Sequence, residues 1–104
     1  MLVEFSIVPI GTGESIGDAV AGVVRLVDKS GLPYRVNAMG TIVEGGWDEV
    51  MALIKKCHEE VMKTAPRVVS NISIDLRPGK PQDRLVEKLK SVEKRLGKKF
   101  KTYG

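Results

Sequence analysis

Cysteine and histidine are nearly absent from this sequence, with one of each among 104 residues. The single cysteine, Cys57, excludes an internal disulfide and agrees with a reducing compartment, so we expect a cytoplasmic protein. With one cysteine and one histidine, a zinc site built from Cys and His ligands of a single chain is excluded as well. The sequence therefore predicts neither a disulfide scaffold nor a metal centre.

Long apolar runs are also missing. No stretch approaches the roughly 20 apolar residues that a membrane span needs, and we expect no membrane partner. The N-terminal segment carries Glu4 and no basic region, so a secretory signal peptide is not expected. A hydrophobic content of 42% and a charged content of 29% are ordinary for a soluble globular protein. The length predicts one domain over residues 1–104.

Catalytic motifs are lacking too. The loop 11–13, Gly-Thr-Gly before a predicted helix, resembles an anion-binding turn, but the dinucleotide and P-loop patterns are incomplete. Glu44 and Asp75 are candidate bases without a second titrating partner at a recognisable spacing, so we expect no enzyme activity. His58 is predicted to be structural or exposed, and Cys57 to be a small core residue.

Positive charge is concentrated at the C-terminal end. Residues 80–104 hold nine Lys/Arg and three Asp/Glu, whereas the preceding part is slightly acidic. Such a pattern is typical of a solvated helix face. The tail 98–104 has two aromatic residues beside lysines, which makes it a weak nucleic-acid candidate, and nucleic acid is not an expected partner.

The hydrophobic periodicity predicts seven elements. Alternation of apolar and polar residues predicts strands over 3–10 and 67–77, and a hairpin over 34–46 with a turn near 38–40. Apolar residues at helical spacing predict helices over 16–29, 47–63 and about 83–96, the first with Ser15 as N-cap. The order is β-α-β-β-α-β-α. It predicts an α+β, ferredoxin-like βαββαβ sandwich with a four-stranded antiparallel sheet and an extra C-terminal helix.

In that fold the two main helices cover one face of the sheet, and the residues of opposite parity face away from them. This second set is polar, and it comprises Ser6, Arg35, Asn37, Asn71, Ser73 and Asp75, with Glu44 expected to join it. Two interpretations remain open. The polar face is simply solvated, or its short donor and acceptor groups form a small-molecule site.

The hairpin carries the polar residues that favour a site. Asn37, Thr41 and Glu44 interrupt otherwise apolar segments, and we expect Ser6, Thr41 and Glu44 to share one pocket. Glu44 is either a plain strand end or a carboxylate that neutralises a cationic ligand. Trp47 is either a core anchor at a helix start or a wall against an aromatic ligand.

Four stretches carry a resemblance to a known family: Phe5-Ser-Ile-Val-Pro-Ile-Gly11 with Ser15, Ser30-Gly31-Leu32-x-Tyr34, Met39-Gly-Thr-Ile-Val-Glu-Gly45 and Asp75-Leu-Arg77. The chain resembles the small thiamine-binding-type proteins related to YkoF, catalogued as uncharacterised protein family 0045. The Met-Gly-Thr-x-x-Glu-Gly element is the most specific. Ala38 departs from the proline expected before it.

The resemblance implies a ferredoxin-like fold and assembly into homodimers and homotetramers. It also implies binding of thiamine or a related pyrimidine or heteroaromatic without chemistry, and we expect this site at an oligomer interface, with walls from two subunits. It also implies ligand contacts at Ser6, Gly40, Thr41 and Glu44. Asn37 and Trp47 are added to this set from the residue pattern alone. The alternative is a structural or regulatory oligomeric module with no small-molecule ligand.

Overall fold

The strands form where apolar and polar residues alternate, and the helices where apolar residues recur every three or four positions. The computed structural model describes residues 1–11, 16–79 and 84–101. The elements are β1 (Leu2–Ile10), α1 (Ile16–Lys29), β2 (Tyr34–Asn37), β3 (Gly40–Glu44), α2 (Trp47–Met62), β4 (Arg67–Asp75) and α3 (Arg84–Leu96). Their order confirms the predicted β-α-β-β-α-β-α arrangement.

The four strands form one antiparallel sheet in the order β2-β3-β1-β4. Helices α1 and α2 pack together on one face of it, which we call the helix-side face. The core between helices and sheet contains the buried apolar side chains Val3, Phe5, Val23, Val27, Val43, Val50, Leu53, Ile54, Cys57, Val61 and Ala65. This two-layer arrangement confirms the predicted ferredoxin-like fold.

The pairing register determines which side chains share a face. Phe5 lies opposite Thr41 on β3 and Ile72 on β4, so these three belong to the helix-side face. Leu2 lies opposite Glu44, which places Glu44 with Ser6 on the other face, called the outer face. Thr41 and Glu44 are therefore on opposite faces, because an odd separation along a strand reverses the side-chain direction. The expectation of one pocket containing both is not met.

Strand β4 ends two residues earlier than predicted. Its last residue, Asp75, pairs with Leu2 of β1. Met1, the residue before β1, turns its backbone groups to the opposite side. Its amino group donates to the Gly45 carbonyl at 2.6 Å, and its carbonyl accepts from the Gly45 N–H at 3.0 Å. Residues 76–77 are left without a strand partner, which explains the shorter strand.

Several predicted features fall on residues 12–15, 80–83 and 102–104, which lie outside the described part of the chain. They include most of the proposed anion-binding loop, the Ser15 N-cap and the predicted first residue of the last helix, Asp83. The end of the basic tail lies there as well. Those expectations stay predictions.

Helix α3 covers part of the outer face, beside the end of β3. Leu85 in its first turn is 7% exposed, and its N–H donates to Glu44 Oε1 over a long 3.4 Å. Lys88 forms an ion pair with Asp75 of β4. A carboxylate near a helix N-terminus is favoured by the helix dipole. Glu44, itself 2% exposed, therefore helps to hold α3 against the sheet.

We predict that Glu44→Ala lowers the melting temperature by about 4–8 °C or more, because it leaves the buried Leu85 N–H without that acceptor. Glu44→Gln keeps an acceptor oxygen and should cost less. The matched control is Glu4→Ala, which removes an exposed carboxylate from the same face of the sheet. Thermal unfolding followed by circular dichroism measures all three. A Glu44→Ala melting temperature equal to that of the control would contradict this role.

Cys57 lies in the core with no exposed surface, which confirms its predicted position. Burial, with a smaller contribution from the Glu60 carboxylate, raises the pKa of the Cys57 thiol from 9.0 to about 11. At neutral pH the thiol is therefore protonated in both the folded and the unfolded chain. Between about pH 9 and 11 only the unfolded chain loses the proton, so this group lowers the free energy of unfolding as the pH rises through that range.

We predict that the folded protein reacts slowly with a thiol reagent at pH 8, and that denaturant restores the rate of an unstructured cysteine. We also expect Cys57→Ala to have a weaker loss of stability between pH 9 and 11 than the parent protein. Urea unfolding at a series of pH values measures the difference. Parallel pH profiles for the two proteins would show that Cys57 does not contribute.

Candidate ligand-binding site

Strand β1 extends further than its neighbour β3, and the difference leaves a gap in the sheet. On the β4 side β1 is paired over Leu2–Ile10, but on the β3 side the pairing ends at Phe5 and Thr41. Helix α1 crosses above this gap, and a cavity of about 200 Å³ lies there. It is lined by Ile16, Val20, Val23 and Val24 of α1, by residues 5–8 of β1, and by residues 36–41 of the hairpin. We call it the α1–hairpin cavity.

The hairpin turn is stabilised by the side chain of Asn37. The Asn37 Oδ1 atom accepts hydrogen bonds from the Met39 N–H at 2.7 Å and from the Gly40 N–H at 3.0 Å. This arrangement is the Asx-type support typical of tight turns, and it uses only the oxygen of the amide group. Among the described residues, none accepts a hydrogen bond from the Asn37 amide nitrogen. Asn37 therefore both shapes the turn and lines the cavity.

Gly40 is required by a close approach of two strands. A Cβ atom at this position would lie 2.8 Å from the Phe5 carbonyl oxygen and 3.7 Å from the Ser6 Cβ. The first distance is too short for any residue with a side chain, unless the backbone moves. The absence of a side chain lets the start of β3 lie directly against β1. Gly40 and Phe5, which both line the cavity, can therefore lie next to each other.

Thr41 is the buried polar side chain of the cavity. It is 5% exposed and points to the helix-side face. Within the described part of the chain, its hydroxyl forms no hydrogen bond with another residue. A buried hydroxyl without a partner is costly, typically by about 1–3 kcal/mol, so such a group usually serves a ligand or an ordered water. Ser6, half-buried, is also among the lining residues, although the register directs its side chain to the outer face.

The remaining walls are apolar. Val23 and Phe5 close the inner end, at 7% and 2% exposure, whereas Ile16 and Val20 are each 46% exposed at the mouth. No Asp, Glu, His, Lys, Arg or Cys is among the described lining residues. Apolar walls with a few fixed hydroxyl and amide groups are typical of sites that bind small heteroaromatic molecules.

Four of the six predicted site residues line this cavity: Ser6, Asn37, Gly40 and Thr41. Glu44 lies on the other face beneath α3. Trp47, at the start of α2, is 52% exposed and belongs neither to the core nor to the cavity lining, so its predicted role as a core anchor is wrong. The ligand contacts assigned to these residues stay predictions.

The predicted set contains no residue from α1, although this helix forms one wall. Val20 and Val24 flank the core residues Val23 and Val27, so the apolar stripe of α1 is wider than packing on the sheet requires. That extra width was the available sign that α1 faces something besides the core.

Two other features are less suited to a ligand. A depression of about 400 Å³ between the end of α1 and α2 is lined by Leu26, Lys29, Ser30, Leu32, Glu49, Ala52, Leu53 and Lys56. None of its described polar side chains is buried.

His58 connects two elements. Its Nδ1 lies 2.8 Å from the Ile54 carbonyl of α2, and its Nε2 lies 3.0 Å from Ser70 Oγ of β4. Since a carbonyl only accepts, Nδ1 donates and Ser70 donates to Nε2, which makes His58 a structural residue.

The described ranges 1–11, 16–79 and 84–101 contain no group of three or more His, Cys, Asp and Glu side chains that could hold a metal ion. In the same ranges no helix is both long and apolar enough to cross a bilayer.

Comparison with known proteins supports a family assignment. A family model described as thiamine-binding protein matches residues 3–93. A UPF0045 protein from Mycobacterium bovis is 43% identical over 97 residues, which cover 92% of this chain and 94% of the relative. A UPF0045 protein from Bacillus subtilis is 33% identical over 101 residues, covering 91% of this chain and 96% of the relative.

Solved structures agree with these relatives. The crystal structure of a hypothetical protein from Methanocaldococcus jannaschii superposes with a TM-score of 0.79 at 36% identity, covering 88% of this chain and 93% of that one. A Thermotoga maritima protein, named as a candidate thiamine biosynthesis or salvage protein, has a TM-score of 0.72 at 24% identity, covering 84% and 95% of the two chains, and shows the shared fold alone. Sequence and fold together place this chain in the thiamine-binding protein family, UPF0045.

Proposed function

We propose that this protein binds thiamine or a related pyrimidine in the α1–hairpin cavity and does not convert it chemically. The observation that carries the proposal is the buried Thr41 hydroxyl, which lines an apolar cavity and forms no hydrogen bond with another described residue. A planar ring would occupy the space between the valines of α1 and the strands. A polar atom on the edge of that ring would form a hydrogen bond with the Thr41 hydroxyl. Membership of the thiamine-binding family supports a ring of this class.

The size of the cavity favours one ring rather than a whole large ligand. Its volume of about 200 Å³ is below the roughly 300–1,000 Å³ typical of sites for drug-sized molecules. The aminopyrimidine half of thiamine would be enclosed, and the positively charged thiazolium would extend towards the mouth. Glu44 lies on the other face of the sheet, so it is not positioned to neutralise that charge within this cavity.

The lining favours binding over catalysis. General acid–base chemistry needs a titrating side chain within hydrogen-bond reach of the reacting atom. The described cavity lining offers hydroxyl, amide and apolar groups, which orient a ligand without exchanging protons with it at neutral pH. We therefore propose a non-enzymatic binding protein, and we place it in the cytoplasm because its one cysteine agrees with a reducing compartment.

We predict that isothermal titration shows binding of thiamine and of hydroxymethylpyrimidine, and none of unrelated nucleosides. Thr41→Val should weaken binding about tenfold, since it removes one hydrogen bond to a buried group. The same variant should leave the melting temperature unchanged or raised, because the free protein loses an unsatisfied hydroxyl. The matched control is Ser73→Ala, which removes an exposed hydroxyl from the outer face.

Each result bears on a different part of the proposal. Absence of heat with every pyrimidine, for a folded protein, would overturn the function. Binding that is unchanged by Thr41→Val would show that the ligand lies elsewhere.

A second candidate function, a module for oligomeric assembly, is favoured by the apolar surface. On the outer face Val8, Ile10 and Val69 are each 40–41% exposed, and along α3 the residues Val86, Leu89, Val92 and Leu96 are 37–53% exposed. Exposed apolar side chains on a sheet face and on the helix that packs against that face are of the kind that marks an interface, and these seven residues are called the apolar surface. We propose that two copies pack through this surface, forming homodimers that pair into homotetramers. The free edge of β4 offers the second contact surface.

We predict that the native mass measured by light scattering is a multiple of the 11.4 kDa chain. Val92→Glu should reduce that mass, since it places a charge in the apolar stripe of α3, whereas Lys90→Glu on the same helix should not. Circular dichroism checks that both variants keep their helices. A monomeric parent protein at micromolar concentration would contradict the assembly role, and the ligand proposal would be unaffected.

A further inference from the structure

The backbone of β1 has a defined direction on the side where β3 stops. Met1 exchanges two hydrogen bonds with Gly45, which follows β3, and the Phe5 carbonyl oxygen lies against Gly40 at the start of β3. In an antiparallel strand, alternate residues turn both their N–H and their C=O to the same neighbour. Met1 and Phe5 therefore show that Ile7 also directs its N–H and C=O towards the β3 side.

Strand β3 does not reach Ile7. The β1–β3 pairing ends at Phe5 and Thr41, and continuing the same register would place Met39 opposite Ile7. Met39 is a turn residue, and its N–H is donated to the Asn37 side chain at 2.7 Å. In the described chain, the Ile7 N–H and C=O thus have no strand partner on this side. Ile7 is a lining residue of the α1–hairpin cavity, and its two backbone groups point to the gap beside which that cavity lies.

Pro9 supports this direction of the backbone. A proline in the middle of a strand removes a hydrogen-bond donor, and it is tolerated only where that donor would face no partner. Pro9 pairs with Val68 on the β4 side, and it has the same parity as Ile7, so its nitrogen faces the gap. Proline therefore occupies a position where a backbone N–H would have no hydrogen-bond acceptor in the sheet.

We propose that the Ile7 N–H and C=O recognise the ligand by binding its amidine-type edge, a ring nitrogen next to an amino group. The N–H donates to the ring nitrogen and the C=O accepts from the amino group, so the ligand takes the place of the missing β3 residue. This inference rests on the proposed pyrimidine site and adds its specificity-determining contact. It predicts that an aminopyrimidine binds more tightly than a ring that lacks either polar atom.

The test uses the full chain and the probe 4-amino-5-hydroxymethyl-2-methylpyrimidine. Ile7→Pro removes the N–H. Ile7→Val is the matched control, because valine has as many side-chain carbons as proline and keeps the N–H. The β4 pairing should survive in both, since the backbone groups of Ile7 do not face β4. We expect Ile7→Pro to bind at least about fivefold more weakly than Ile7→Val.

A ligand change tests the other half of the contact. The 4-dimethylamino analogue has no N–H to give to the Ile7 carbonyl, and we expect the parent protein to bind it at least about tenfold more weakly than the amino compound. For Ile7→Pro the same change of ligand should weaken binding by a smaller factor, because the hydrogen bond from the residue 7 N–H is already absent. If Ile7→Pro does not fold, replacement of Ile7 by its 2-hydroxy acid removes the same N–H and keeps the side chain.

Equal binding by Ile7→Pro, or by the hydroxy-acid protein, and Ile7→Val would overturn the inference and leave the proposed binding function intact. A parent protein that binds the amino and dimethylamino compounds equally would overturn it as well. Failure of the parent protein to bind any pyrimidine would remove both the inference and the function on which it rests.

Discussion

Pairing between β1 and β3 stops at Phe5 and Thr41, and the site depends on that early end. In an ideal sandwich of this kind the two central strands would pair along their whole lengths, and the space under α1 would be filled by β-strand. Here the hairpin reverses at residues 38–39, so the second half of β1 keeps a partner on one side only. The cavity is the volume that the absent part of β3 would occupy.

Three local features maintain this geometry. The Asn37 side chain holds the turn, Gly40 lets the strands approach, and the valine-rich face of α1 covers the gap. Each is encoded by a residue type with a clear physical reason: an amide that supports a turn, a missing Cβ, and apolar side chains beyond the needs of the core. Most of the walls belong to strands and to α1, and the short turn at residues 38–39 is held by the Asn37 side chain, so the cavity is preorganised.

The fold followed from the sequence because alternation and helical spacing are strong in long elements such as β1, α2 and β4. The site followed only in part. The family resemblance pointed to Ser6, Gly40 and Thr41, and the residue pattern pointed to Asn37. The face of each β3 residue, however, depends on where the turn closes, and a shift of one residue reverses all faces. The burial of Glu44 could not be predicted, because it results from the docking of α3, a tertiary contact without a local pattern.

Pro9 has one more consequence, which concerns other chains. A strand with an unpaired edge invites β-addition by any extended peptide, and such an addition along β1 would fill the cavity. Proline at this position withholds a donor that an incoming strand would need, and its ring stands in the path of that strand. Pro9 thus removes no hydrogen bond from the existing sheet, and it hinders the addition of a strand from another chain at the unpaired edge of β1.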